Sequence, residues 1–175
     1  GGGGTLVSID AHIEPLGGKL PNISWRWDPE TDILSGAFKA SRKVGGLTGS
    51  VELSDEQGSV AVLDVADGVI CGLDIVVWPE VATSPSLAVP AQLTEGRVVV
   101  AKRPSKPGIS SMEVDTVLSV KTDASESVFH LRIGPERQVE VIRAADHLYI
   151  EVDEQGTLAG FWLTGVPQFP EFDDD

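Results

Sequence analysis

The sequence predicts an all-β protein. Two homologous halves of about six strands each are expected to pack as a pseudo-two-fold sandwich or barrel-like unit, with little helix. Three observations carry this reading. Short runs alternate apolar and polar residues, which is the period of a half-buried strand. Turn chemistry rich in Gly, Pro and Asp separates the runs. The stretch Val152 to Pro167, VDEQGTLAGFWLTGVP, also has a looser copy at Asp64 to Pro79, DVADGVICGLDIVVWP. An ungapped shift of 88 residues aligns Gly68 with Gly156, Gly72 with Gly160 and Pro79 with Pro167.

Taken in order, Thr5 to Ile13 spaces Val7, Ile9, Ala11 and Ile13 two apart before Pro15-Leu-Gly-Gly breaks the run. Ile23, Trp25 and Trp27 share the next face. Asp28-Pro29-Glu30-Thr31-Asp32 supplies a turn, because Pro29 presets its own φ and Asp28 can bond the backbone ahead. Ile33 to Phe38 is the return strand, with Gly36 as a candidate bulge. Residues 39–48 hold three basic residues and two adjacent glycines, and read as an exposed loop. Ser50 to Leu53, Ser59 to Val65 and Val69 to Val77 follow as strands, joined by hairpin turns at 55–58 and 66–68. The span 79–95 is rich in proline and reads as a linker between a first repeat at 5–78 and a second at 96–167. The second repeat has strands at Arg97 to Ala101, Val114 to Val120, Phe129 to Ile133, Val139 to Val141, Leu148 to Val152 and the hairpin ending at Leu163.

The correspondence extends upstream. Ile23 to Phe38 aligns with Leu118 to Ile133 at an offset of 95, and Thr5 to Ser8 with Arg97 to Val100 at 92. An offset of 98 would instead superpose the two DEQG tetrapeptides, at 55–58 and 153–156. The offset of 88 is preferred, because a turn tetrapeptide recurs easily while a glycine and a strand-ending proline at fixed spacing do not. Gly1 to Gly4 are read as flexible, and 168–175 as an acidic tail.

A single unit of 175 residues buries roughly 68–75% of its unfolded surface, whereas one half alone would be marginal, so a shared core is expected. The formal charge of −14, from 27 acidic and 13 basic residues, makes nucleic acid and anionic lipid poor partners. Cys71 stands alone in an apolar run, which excludes an internal disulfide and suits a small buried hydrophobe. No apolar stretch approaches the ~18 residues of a membrane span, and the expected location is cytoplasmic.

WDPETDILSGAF at 27–38 and LYIEVDEQGTLAGFWL at 148–163 resemble the two ends of the small bacterial domain-of-unknown-function family numbered 2283. Each signature is clearest in one half, and the second half has Asp123-Ala124 in place of the Asp-Pro. The resemblance implies a small β fold and no established activity. Antitoxin-like pairing of some members implies protein binding rather than catalysis. It carries no functional residue over to this chain.

Chemistry-bearing motifs are sparse. No Gly-x-Ser-x-Gly elbow, paired-histidine zinc motif or Cys-x-x-Cys is present, so no catalytic residue, metal or cofactor is expected. His130 and His147 fall on strands that could be neighbours, and His147 shares a face with Glu151. A histidine–carboxylate pair there competes with an ordinary surface cross-strand pair. Of the four tryptophans, Trp25 and Trp27 share a face, while Trp78 and Trp162 lie near the ends of the repeated hairpins. Aromatics so placed can stack a sugar or anchor a partner, and inter-sheet packing would place them there too.

The sequence reading is therefore a non-catalytic interaction or assembly domain, antitoxin-like in type, whose partner is another protein or a second copy of itself. The alternative is a small-ligand or carbohydrate-binding β module with a Trp-lined cleft between the halves. The candidate binding residues are Trp25, Trp27, Trp162, His147 and Glu151.

Overall fold

The computed structural model describes residues 8–91, 93–101 and 111–170. Gly1 to Gly4, the start of the first expected strand and the final acidic residues lie outside them. The described chain is fifteen strands without helix. In order these are β1 (Ala11–Glu14), β2 (Arg26–Trp27), β3 (Leu34–Ala37), β4 (Gly49–Asp55), β5 (Val60–Ala66), β6 (Val69–Val77), β7 (Val81–Thr83) and β8 (Thr94–Glu95). There follow β9 (Arg97–Val100), β10 (Ser111–Thr116), β11 (Leu118–Thr122), β12 (Phe129–Ile133), β13 (Val139–Ala145), β14 (Leu148–Asp153) and β15 (Leu158–Leu163).

They form two sheets, of eight and seven strands. The first runs β1-β9-β6-β5-β4-β10, with β3 also pairing β6 and β2 pairing β3. The second runs β7-β11-β12-β15-β14-β13-β8. Within them lie two five-strand sets of one plan, β2-β3-β6-β5-β4 and β11-β12-β15-β14-β13, all antiparallel. The registers correspond as well. Leu34 pairs Ile75 and Ala37 pairs Gly72, while Phe129 pairs Leu163 and Arg132 pairs Gly160. These are the offsets of 95 and 88 read from the sequence.

Three details of the alignment change. The strand before the last hairpin shifts by 87, since Asp64 faces Gly72 as Glu151 faces Gly160. The turn Asp67-Gly68 is a tight two-residue loop with both φ positive (50° and 87°), as such hairpins require. The 153–157 turn is longer by one residue. The two DEQG tetrapeptides close different hairpins, β4–β5 and β14–β15, and so occupy unrelated places. The register slips at Asp64/Val65 and Glu151/Val152, on the strands opposite the repeated glycines, and Gly36 pairs regularly with Leu73.

The sheets do not coincide with the sequence halves. β9 and β10, from the second half, pair with β1, β6 and β4 of the first sheet. The stretch read as a linker contributes β7 and β8 to the second. A crossed arrangement follows: Val69 pairs Val99, and correspondingly Thr157 bridges Asp10. This relates Asp10 to Val99, 89 residues on; Thr5 to Val7, aligned in the sequence with Arg97 to Val99, lie outside the described residues. The β1–β9 ribbon thus ties the sheets together, Ala11 facing Val100.

Two long-range caps are reciprocal. The Ile23 amide donates to Asp146 Oδ1 at 2.8 Å, and the Leu118 amide donates to Asp55 Oδ2 at 2.7 Å. Ile23 lies three residues before β2 and Leu118, 95 residues on, opens β11, while Asp55 ends β4 and Asp146 follows β13. Each half therefore satisfies a backbone donor of the other. One hydrophobic cluster unites both sheets, with Leu53, Leu63, Leu73 and Ile75 from the first and Leu131, Ile150, Phe161 and Leu163 from the second. Cys71 is buried, as its apolar setting suggests, and its thiol is pushed up by burial and by nearby Asp64. The 39–48 loop is not wholly exposed: Arg42 is half-buried and clasps Glu14 at 2.6 and 3.0 Å. With His12 adding a further bond, that clasp lowers Glu14 to about 2.

Candidate functional site

Two places gather unusual chemistry. The first is the outer face of the second sheet. β12, β15 and β14 place His130 beside Trp162 and Trp162 beside Tyr149, with Arg132, Gly160 and Glu151 in the adjacent cross-strand row. His130 Nε2 and Glu151 Oε1 lie 2.9 Å apart, and Trp162 Nε1 donates to Glu151 Oε2 at 3.1 Å. The His130 and Trp162 rings stack with centroids 4.2 Å apart. His130, Glu151 and Trp162 are only 6–7% exposed, so this face is covered although it points away from the core. Burial pushes the Glu151 carboxyl up, but the bonds from His130 and Trp162, with Arg132 nearby, outweigh it and hold the group below the usual carboxylate value. The repeated glycine makes room for that carboxylate. A Cβ on Gly160 would stand 2.5 Å from Glu151 Oε1 and 2.7 Å from the Leu131 carbonyl.

The second place is an aromatic cleft where the two sheets meet. Trp27 and Trp78 from the first half stack at 5.5 Å with an interplanar angle of 26°. Phe129 packs against both rings, and Phe169 sets its edge on Trp27 at 5.3 Å. The cleft has a volume of about 370 Å³ and is rimmed by Asp32, Glu126, Thr122 and Val81. Trp27 Nε1 donates to the Pro167 carbonyl at 2.8 Å, and Trp78 Nε1 donates to the Asp32 carbonyl at 2.7 Å. Both indoles are thereby fixed, and their faces and edges remain to be offered. Val81 and Phe169, which line the cleft, are among the exposed large hydrophobics of the described chain. The rim residues Asp32 and Glu126 have φ of 63° and 57°, a left-handed backbone that side chains other than glycine adopt at a cost.

The structure separates the five residues expected to bind. Glu151 and Trp162 meet, and the histidine between them is His130. His147 stands instead in the two-residue turn between β13 and β14, where Nδ1 bonds Thr164 Oγ1 at 3.0 Å. His147 precedes β14, and of the two alternatives the sequence leaves open there, a His147–Glu151 pair does not form. Trp27 lines the cleft. Trp25 is buried in the core at 4% exposure, beneath the bare face of Gly36, where a Cβ would stand 2.6 Å from its ring. Its Nε1 donates to the His147 carbonyl, which fixes a core contact rather than a binding surface. Trp78, Phe129 and Phe169 complete the cleft but were not singled out for binding. Their convergence depends on pairings about 50 to 140 residues apart, which periodicity does not reveal.

Among the described residues no group of three or more His, Cys, Asp or Glu side chains is placed to hold a metal ion. No family model matches the chain, and no curated protein matches it.

Proposed function

We propose that the protein is a non-catalytic ligand-binding β module, and that its aromatic cleft receives a carbohydrate ring. The observation that carries this reading is the fixed Trp27–Trp78 stack, open at the junction of the sheets with its N–H groups already satisfied. Fixed aromatic surface loses little conformational freedom on binding and suits the apolar face of a sugar. The rim adds acceptors for sugar hydroxyls. The Asp32 and Glu126 carboxylates take no hydrogen bond among the described residues, and Thr122 donates its hydroxyl to the Val128 carbonyl while keeping a free lone pair. Calorimetry with cellobiose, xylobiose and chitobiose tests this. One of them binds the wild type, and Trp78→Ala weakens it about tenfold or more. A flat response from the wild type to all three rejects the reading.

A second reading, assembly through a sheet edge, is favoured by one feature. β7 is an edge strand whose three residues, Val81, Ala82 and Thr83, are all exposed. It predicts a concentration-dependent dimer in analytical ultracentrifugation that Thr83→Pro abolishes, because the Thr83 N–H faces away from β11 while those of Ala82 and Ser84 face it.

We further infer that the two five-strand sets descend from one β unit copied in tandem, now in pseudo-two-fold relation. The matching registers and the reciprocal Ile23–Asp146 and Leu118–Asp55 caps support this, because exchange of the same contact in both directions is the signature of a fused symmetric dimer. The resemblance to family 2283 belongs to the same reading.

A further inference from the structure

The buried constellation on the outer face of the second sheet is the floor of a separate cavity of about 230 Å³. Its lining is unlike the rest of this acidic chain. Lys121, Arg132 and Arg137 face it against two carboxylates, Glu136 and Glu151. Glu151 is spoken for, since His130 and Trp162 occupy both its oxygens. Arg137 is spoken for too, bonded to Asp153 and to the Ile133, Pro135 and Leu158 carbonyls. Lys121 and Arg132 have no ion pair or hydrogen bond among the described residues, although they belong to a protein with twice as many acidic as basic side chains.

His130 points the same way. With Nε2 turned to Glu151, its Nδ1 takes no hydrogen bond among the described residues, and the ring lines the cavity. Glu151 fixes the ring's orientation, and Trp162 fixes Glu151 and stacks on the ring. Lys121 is the direct cross-strand neighbour of His130, and Arg132 lies two residues along the same strand on the same face. Three nitrogen-bearing groups therefore stand around one small opening, and Leu87, Val139 and Ala159 supply an apolar wall. The arrangement suits an oxyanion with a compact apolar body, because a planar carboxylate matches the guanidinium fork.

We propose that this cavity binds a small organic carboxylate, with its carboxylate between Arg132 and Lys121 at the His130 edge and its apolar part against Leu87 and Ala159. The site is independent of the aromatic cleft, and either can fail without the other.

The test is an NMR titration of the full chain with benzoate and, separately, with inorganic phosphate, following the His130 ring and Trp162 indole signals. Benzoate is expected to shift both saturably, and the double variant Arg132→Gln/Lys121→Gln to weaken binding at least tenfold while the indole dispersion stays native. Absence of a saturable shift overturns the proposal. So does equal affinity in wild type and double variant. Binding of phosphate as tight as that of benzoate overturns the carboxylate assignment.

Discussion

The same place in the two sheets carries opposite electrostatics. In the second sheet Glu151 faces Gly160, with His130 and Trp162 in the neighbouring row. In the first, Asp64 faces Gly72, and the corresponding row holds Ser35 and Asp74. Both glycines leave space for the acid opposite: a Cβ on Gly72 would stand 2.7 Å from Asp64 Oδ2. Glu151 has two donors and is lowered. Asp64 has none among the described residues and is raised, first by burial and then by the charge of Asp74. One backbone plan therefore supports either a buried acid whose ionised form is favoured or a half-buried one whose ionised form is disfavoured. The side chains on the adjacent strands decide which. The plan supplies the seat for the acid, and its neighbours supply the chemistry.

Substitutions at the seats give the largest effects. Gly160→Ala pushes a methyl into both the Glu151 carboxylate and the Leu131 backbone carbonyl, and is expected to cost about 2–3 kcal/mol in chemical denaturation. Gly72→Ala costs less if the half-buried Asp64 side chain swings aside, although the Gly36 carbonyl and Ala37 methyl at 2.9 Å keep it unfavourable. Equal costs at the two sites would mean that the acids do not matter and only backbone crowding does.

Next come the acids themselves. Glu151→Ala leaves the His130 ring and the Trp162 N–H facing a gap, with an expected loss of about 1–3 kcal/mol. Asp64→Asn should do the reverse, raising the unfolding midpoint modestly at neutral pH. The pH dependence separates them further. A raised acid contributes stability below its unfolded value, near 3.9, and loses it as pH rises, so the Asp64→Asn advantage at pH 7 should vanish by about pH 3. Lowered acids act oppositely. Burial pushes Asp153 up, but its bonds from Thr157 and Arg137 prevail and bring it to about 2. Its contribution is complete above about pH 4 and disappears as pH falls towards 2. Thermal melts of wild type, Glu151→Gln and Asp64→Asn from pH 2 to 8 check both signs. An Asp64→Asn curve parallel to wild type throughout would show that Asp64 is not perturbed.

The smallest effect expected concerns the reciprocal caps. Asp55→Ala and Asp146→Ala each free one backbone amide of the other half at about 1 kcal/mol, and Asp55→Ala costs somewhat more because it also frees the Gln57 amide. A large difference between them would break the equivalence of the two halves.

Local pattern made much of this legible. Alternation located most strands, although Val114 to Val120, read as one, divides at Val117 between β10 of the first sheet and β11 of the second. The Gly72/Gly160 and Pro79/Pro167 spacing located the corresponding registers to within the single extra residue of the 153–157 turn. The sequence marks Glu151 by its phase with His147 and Trp162 as an aromatic near the end of a repeated hairpin, and neither reading pairs the two. What could not be read depends on distant pairing. β9 and β10 join the first sheet, and Asp55 caps a strand 63 residues away. Trp27 finds Trp78 through the intervening β3, and Phe169 reaches Trp27 from the far end of the chain. His147 misled because its sequence phase matches Glu151, while the turn it occupies ends that phase one residue before β14 begins.

The cleft is where the functional reading is most exposed to test. A ¹⁵N-labelled sample titrated with the saccharide that calorimetry selects should show the indole signals of Trp27 and Trp78 moving together to saturation. Those of the core Trp25 and the outer-face Trp162 should stay in place. Movement of Trp25 or Trp162 without Trp27 and Trp78, or no movement in any of the four, would contradict the assignment of the cleft as the ligand site.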